Sequence, residues 1–580
     1  MKNKRIIAAA MAAGMAVSLA ACGSSASTTD TNGSADTATT EAADAATGEG
    51  TGFTVQLGPN PETLDPALNA AVDGGNTLIT IEEPLLIIDE NNEIQPGQAE
   101  SYEVSDDGLV WTFHLRDGLK WSDGSDLTAA DFEYSFKRLA CPDTAAPYAE
   151  TVVGMIDGYQ DAIGNPDADG NTTTDPDWDA LNVVASEDGK DLTITLSYPC
   201  SYFDKLAAFV ATSPVQQATV EANGDAWCTE PDTYVCNGPY MITDWIPSER
   251  IVLSKNPNYV GGWDSSKIVS DTITLLLLED SSAAYAAYNS GEAQLVKDVP
   301  TDEIPSLTKA EDGGDFYVDT ILGTYYISLN DQREPFTDAK VRKALSLAID
   351  RAAVVKSMAD GDLIPAEGLV PHGIRTAEGG DFRQVNGAVI DNDPDTYQQR
   401  CQQAVTLLRE AGFTRPEVIA SLGTVTLLHR STPAQTTLAR QLQQVWRDTL
   451  GINVTLQSAD EEEFDQLLHG GEFTLALTEI TALYNDAAAY LDMWRSGNSC
   501  NYAQIGMNAY DILMRVAAAS TSDEARDAYL KDAEGLLLDS ANVVPLYGRQ
   551  QPYQMAENVI GAVSDGLGAW YFGTTRRLAK

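Results

Sequence analysis

Histidine is scarce in this chain: His114, His372, His429 and His469 are the only four in 580 residues, and they are scattered. HExxH and CxxC are absent, as are the GxSxG elbow, the GxxxxGK[ST] phosphate loop and a GxGxxG turn after a strand. A hydrolase would need a nucleophile beside a base, or a metal site, and the sequence offers candidates for neither. The expectation is therefore a protein that is not an enzyme, with no metal and no cofactor. Basic residues are also few. Against 86 Asp and Glu stand 36 Lys and Arg, a formal net charge of -50. Such a chain repels polyanions, so nucleic acid is excluded as a partner, and the acidity reads chiefly as a solubility trait. Beyond the N-terminal leader, no apolar run is long enough to cross a bilayer.

What is present starts at residue 1. Lys2, Lys4 and Arg5 precede an Ala-rich apolar run from Ile6, which ends at Leu19-Ala20-Ala21-Cys22-Gly23. A basic start, a short apolar stretch and small residues before a cut are the marks of a secretory signal, here residues 1–21. The Leu-Ala-Ala-Cys quartet resembles the bacterial lipobox. That implies a diacylglycerol on the Cys22 thiol and a protein anchored by lipid to the extracytoplasmic face of the cell membrane. Residues 22–50 hold no aromatic or large apolar side chain, which makes them a solvated tether unable to fold. From Phe53 onward apolar residues return and leave about 530 residues, enough for two to four packing units at ~150 each.

With Cys22 lipidated, Cys141, Cys200, Cys228, Cys236, Cys401 and Cys500 remain, an even number that permits 15 pairings. Cys228 and Cys236 flank a turn-rich stretch and form the favoured pair; free buried thiols are the alternative for all six. Asn165-Pro166-Asp167-Ala168-Asp169-Gly170-Asn171 spaces oxygen ligands as a calcium loop does. Its twelfth position falls on Pro176, where a bidentate glutamate is needed, so it reads as a polar loop.

Period-two alternation predicts strands at Val110–Leu115 and Leu192–Leu196, and the apolar run Thr272–Leu278 predicts a buried strand. Asp338 is a candidate N-cap for a helix with Val341, Leu345, Ala348 and Ile349 on one face. Tyr397 to Ala411 reads as a helix stopped by Gly412. Strands and helices interleaved over this length argue for α/β lobes with a ligand crevice between them.

An ordered series of motifs then carries a resemblance. Asn60-Pro61-Glu62-Thr63-Leu64-Asp65-Pro66 opens the body. Trp111 to Gly118 leads to Lys120-Trp121-Ser122-Asp123-Gly124 and Leu127 to Phe132, followed by Asn237-Gly238-Pro239-Tyr240, Trp245 and Lys255 to Tyr259. Tyr325 to Asn330, Val341 to Arg351 and Leu450 to Val454 complete it. In this order they resemble the peptide/nickel class of extracellular solute-binding proteins, most closely the oligopeptide-binding branch. The resemblance implies a type II, class C periplasmic-binding-protein-like α/β fold, with two hinged lobes and an additional inserted domain. Lobe I would take residues 51–85, 206–322 and 552–580, inserted domain II residues 86–205, and lobe II residues 323–551. The chain would cross between lobes near Leu322-Gly323 and Gln551-Pro552.

The same resemblance implies the substrate-binding lipoprotein of an ABC importer, a monomer that delivers an oligopeptide or similar extended solute to its permease and ATPase subunits. The alternatives are a non-peptide solute (oligosaccharide, opine or metal chelate) and a ligand-sensing surface receptor. Ligand-lining segments map onto Asn69 to Gly75 (Val72 above all), Tyr148, Asn237 and Gly238, Tyr325 and Tyr326, and Glu479 to Asn485, with Glu479, Thr481, Leu483, Tyr484 and Asn485 as candidates. Oligopeptide binders hold the ligand ammonium with a carboxylate directly before a Tyr-Asn pair. Here Leu483 precedes Tyr484-Asn485, while Glu479 lies four residues, about 13 Å, away along a strand. Glu82 and Pro84 also stand where the family often has an aromatic and a glycine. Anchoring is directly testable. Cys22→Ser is expected to leave the protein shed or unprocessed, whereas unchanged membrane attachment with no lipid label on the wild type contradicts the lipobox.

Overall fold

The computed structural model describes residues 52–89, 93–166, 172–300, 302–308, 314–358, 363–377, 379–414, 425–498 and 500–578. The leader, Cys22, the tether and residues 167–171 of the acidic loop lie outside the described residues.

Alternation produces the strands it predicts. Val110–Leu115 buries Trp111, Phe113 and Leu115 on one face, and pairs antiparallel with Ala99–Val104 and with Asp191–Thr195. Val183–Ala185 completes a four-stranded sheet. The helix Ala129–Ala140 lies against it, started by the backbone N–H of Thr128 donating to Asp131 Oδ2 at 2.8 Å. Lys120 to Gly124 is a tight turn in which the Gly124 N–H donates to Trp121 O, and Trp121 is buried as its anchor.

A ten-stranded sheet organises the rest. Its order is Val454–Ala459, Val425–Arg430, Leu475–Thr481, Phe316–Leu329, Val543–Met555, Leu295–Val296, Gly52–Gln56, Thr272–Leu276, Arg250–Lys255, Tyr240–Ile246. Thr272–Leu276 sits between a parallel and an antiparallel neighbour and buries Ile273, Leu275 and Leu276, with Thr272 and Thr274 half-buried on the other face. It ends at Leu276, two residues short of the apolar run, although the Leu277 N–H still donates to Glu249 O in the register of the antiparallel neighbour.

Two strands in the middle are unusually long: Phe316–Leu329 has 14 residues and Val543–Met555 has 13. They pair antiparallel in two stretches, Phe316–Thr320 with Gln550–Gln554 and Thr324–Ser328 with Val543–Gly548. Between the stretches Ile321, Leu322 and Gly323 stand opposite Arg549 alone, a bulge that bends the pair. A Cβ on Gly323 would lie 2.8 Å from Ile480 O, so the close approach here requires glycine. On one side of the bulge the pair is flanked by Leu475–Thr481, and on the other by Leu295–Val296.

Three large cores follow this division. One, with Phe53, Val55, Leu253, Ile273 and Phe572, lies at the Gly52–Gln56 end of the sheet. A second, with Ile327, Leu427, Leu442 and Trp446, lies at the other end. There Asp338 caps Ala339–Leu347 by accepting from the Lys340 N–H at 2.8 Å, and Val341, Leu345, Ala348 and Ile349 are all buried. Tyr397–Glu410 ends at Ala411, with Gly412 in the left-handed region. The third core joins Trp111 and Phe113 of the four-stranded sheet, and Phe132 of the helix on it, to Tyr484, Tyr490 and Trp494.

The favoured Cys228–Cys236 bridge does not form, and the six cysteines from Cys141 to Cys500 are free thiols. Cys228 Sγ sits 3.7 Å from Thr63 Oγ1, while Cys236 Sγ points to Tyr240 O at 3.5 Å. The intervening turns aim the two thiols into different neighbours, so proximity in sequence does not bring them together.

Among the buried ion pairs, Arg383 and Glu534 are almost fully excluded from solvent. Glu534 Oε1 accepts from Arg383 Nη2 at 2.5 Å and from the N–H groups of Leu369 and Val370 at 2.8 and 2.9 Å. Glu534→Ala strands a buried guanidinium and is expected to cost about 3–5 kcal/mol. Denaturant unfolding checks this, and a loss under ~1 kcal/mol contradicts it.

Candidate functional site

A cavity of about 190 Å³ opens where several segments converge. The first wall is built by the turn from Asn69 and the helix Val72–Ile81, which present Val72, Gly75 and Ile79 and then Glu82 just past the helix end. Gly74, in the first turn of this helix, leaves room for the Asn69 side chain, since a Cβ there would lie 2.0 Å from Asn69 Oδ1 and 3.1 Å from Thr63 O. Lys205 and Phe209 follow the four-stranded sheet in sequence, and Tyr148 meets Phe209 edge to face at 5.5 Å. The C-terminal turn contributes Asp565 and Leu567, and beyond it Tyr571, which stacks on Trp263 at 3.7 Å. Opposite, Ala482 and Leu483 project from the end of Leu475–Thr481.

Val72, Ile79, Phe209, Leu483 and Leu567 make most of this surface apolar. Two carboxyl groups interrupt it. Asp565 Oδ1 accepts from the Leu567 N–H at 2.7 Å and the Ala569 N–H at 2.9 Å, and burial nevertheless pushes its carboxyl up to about 7. Burial also raises Glu82 well above the usual carboxylate range, against the opposing hydrogen bonds from Tyr234 and the Asn237 backbone. Among the described residues the one ammonium in the wall, Lys205 Nζ, is directed away to Asp486 Oδ2 at 3.0 Å and Asn485 O at 2.9 Å. An uncharged or apolar group suits the Leu483 side, and a hydrogen-bond donor or cation suits the Asp565 side.

Of the residues singled out from the sequence, Val72, Tyr148 and Leu483 line the cavity together. Asn237 and Gly238 stand behind its wall. Asn237 Oδ1 accepts from the Glu83 N–H at 2.9 Å, Nδ2 donates to Glu83 O at 2.8 Å, and the Gly238 N–H donates to Ile81 O at 2.8 Å. The remaining candidates are engaged elsewhere. Tyr325 packs on Tyr547 at 4.9 Å, Tyr326 is buried edge-on to Trp494, and Tyr484 stacks on Tyr202 at 5.0 Å. Glu479 pairs with Arg549 Nε at 3.3 Å and Thr481 Oγ1 accepts from Arg549 Nη1. Asn485 is buried and accepts from the Arg375 N–H at 2.9 Å.

Lys205, Phe209, Trp263, Asp565 and Tyr571 are wall residues that sequence reading misses. Asp565 had a faint signal, because Asp565-Gly566-Leu567-Gly568 is an Asp-Gly turn whose carboxylate caps its own backbone. Nothing local marks the others, since their role depends on segments hundreds of residues apart.

The family model described as bacterial extracellular solute-binding proteins, family 5 Middle, matches residues 93–501. The periplasmic oligopeptide-binding protein OppA of Salmonella typhimurium is 34% identical over 495 residues, 84% of this chain and 86% of that protein. The crystal structure of Haemophilus influenzae OppA in complex with RPPGFSPFR superposes with a TM-score of 0.76 at 27% identity, covering 92% of this chain and 100% of that one. The Escherichia coli murein tripeptide binding protein MppA gives 0.76 at 28% identity, with 91% and 99% coverage. The expected α/β periplasmic-binding-protein-like fold is the fold of these proteins.

Proposed function

The chain belongs to the family 5 bacterial extracellular solute-binding proteins, in their oligopeptide-like branch, and on that premise we propose that it captures short peptides outside the cytoplasm for an ABC importer. In this reading Cys22 anchors it to the membrane, and the protein acts as a monomer that hands its ligand to a permease. The binding site is the 190 Å³ cavity, and the observation that carries the proposal is where its walls come from. Val72 and Asp565 belong to stretches packed at the Gly52–Gln56 end of the sheet, whereas Leu483 extends from Leu475–Thr481 at the other.

A solute touching both sides favours the arrangement that brings them together, which is how a ligand closes a hinged protein. The lobes would be residues 51–85, 206–322 and 552–580 on one side and 323–551 on the other, with 86–205 inserted. The bulge at Ile321–Gly323 opposite Arg549 supports a crossing there. The cavity is smaller than the roughly 300–1,000 Å³ of clefts that hold drug-sized ligands, which favours a short solute. The bound peptide in the Haemophilus relative and the tripeptide named for the Escherichia coli one support a peptide. The apolar Leu483 side favours a second reading, a non-peptide solute without a charge at that point.

Leu483 also makes the proposal specific. Glu479 and Asp486, the carboxylates nearest to it in sequence, are committed to Arg549 and to Arg526 with Lys205. Free-amine peptides should therefore bind more weakly than their N-acetylated twins. Leu483→Asp should strengthen free-amine binding, by more than ~1 kcal/mol if the pocket excludes water. Calorimetry on both peptides with both proteins checks this. A strong wild-type preference for the free amine contradicts it and makes Asp565 the next group to substitute.

A further inference from the structure

A second cavity of about 490 Å³, sharing no lining residue with the first, lies between the helices Ala339–Leu347, Tyr397–Glu410 and Asp523–Ser540, backed by the start of Val543–Met555. Three cations line it: Lys343, Arg351 and Arg400. That is unexpected in a chain of net charge -50.

Arg351 is 4% exposed. Its Nε donates to Pro545 O at 2.6 Å and its Nη2 to Ser346 Oγ at 3.4 Å, and among the described residues no carboxylate pairs with it. A guanidinium carries five N–H donors, so these two bonds leave most of its capacity unused. Burial lowers Arg351 to about 10, and the nearby Arg400 adds to the effect, yet it remains cationic at neutral pH. Arg400 Nη1 donates to Asp393 O at 2.9 Å and Thr396 Oγ1 at 2.6 Å, and meets Asp391 Oδ1 at 3.3 Å. Lys343 Nζ pairs with Asp539 Oδ1 at 2.6 Å. Both carboxylates are more than half exposed at the rim, and Glu367 and Asp393 face an adjoining groove. Three cations against the two rim carboxylates leave one positive charge in excess, and it is the most deeply buried of the three.

A structural role alone, tying the start of Arg351–Met358 to Pro545, explains the Nε contact but not why the charge is buried without an anion, at a large desolvation cost. Nor does it explain why a second guanidinium lines the same cavity. Two guanidiniums and an ammonium around an open space are the donor set that recognises planar or tetrahedral oxyanions. We propose that this cavity is a second ligand site, separate from the peptide cavity, and that it takes a small oxyanion, a phosphate or a carboxylate, between Arg351, Arg400 and Lys343.

The test titrates the full protein calorimetrically with inorganic phosphate and, separately, with acetate, sodium chloride holding the ionic strength constant. Saturable binding of at least one anion is expected, weakened at least tenfold by Arg400→Gln and by Arg351→Lys. Lys343 lies toward the rim with a side chain 35% exposed, whereas Arg400 is buried like Arg351, so Lys343→Gln keeps the test valid if a substitution at either arginine fails to fold. Preference for phosphate assigns the site to phosphates and equal binding of acetate assigns it to oxyanions generally; either supports the proposal. Absence of saturable binding with both anions, or binding that Arg400→Gln and Lys343→Gln leave unchanged, overturns it.

Discussion

Two adjacent strands, Phe316–Leu329 and Val543–Met555, hold the two ends of the ten-stranded sheet together, and the bulge between them is the constraint from which the site follows. A regular ladder over 13 or 14 residues would make a stiff rod of roughly 45 Å. Leaving Ile321, Leu322 and Gly323 opposite Arg549 removes ladder hydrogen bonds at a single point. Strands beyond that point pack into one core and strands before it into another. Any bending of the protein concentrates where the fewest backbone bonds must change, which on the proposed reading makes this bulge the hinge. Gly323 pairs with Thr481, and Arg549 is held by Glu479 and Thr481, so the hinge strands touch the same segment that ends in Leu483.

A second feature fixes how the cavity is closed. Burial alone would raise the Asp486 carboxyl, but Arg526 and Lys205 hold it well below the usual range. Arg526 gives it two hydrogen bonds, at 2.7 and 3.1 Å, and lies over the ring of Tyr202, which is itself stacked on Tyr484. Lys205 reaches it from the stretch that follows the four-stranded sheet. This cluster ties that stretch to the Tyr484 segment and takes Lys205 out of the ligand's reach. The cavity therefore presents carboxyl groups and apolar walls rather than a cation.

Much of the architecture was legible in sequence because it rests on local chemistry. Alternation marks Val110–Leu115, the Asp338 cap marks its helix, and the ordered motifs from Asn60 to Val454 carry the family. The site was legible where the family resemblance marks single positions, as at Asn69, Val72, Gly75, Tyr148 and Leu483, all of which line the cavity. Tyr484 and Asn485 look like ligand contacts by position, yet stacking on Tyr202 and a bond from Arg375 bury them. Cys228 and Cys236 fail for a related reason: spacing bounds how far apart two thiols are, not where each points. Lys205, Trp263 and Tyr571 owe their place to contacts across hundreds of residues, which no local pattern encodes.

The claim on which the account stands is that the cavity is completed by bending at the bulge. Small-angle scattering of the protein with and without a tripeptide that calorimetry shows to bind measures this directly. The account predicts a smaller radius of gyration in the bound state, with the melting temperature rising by mass action. Tight binding with an unchanged radius of gyration would contradict it.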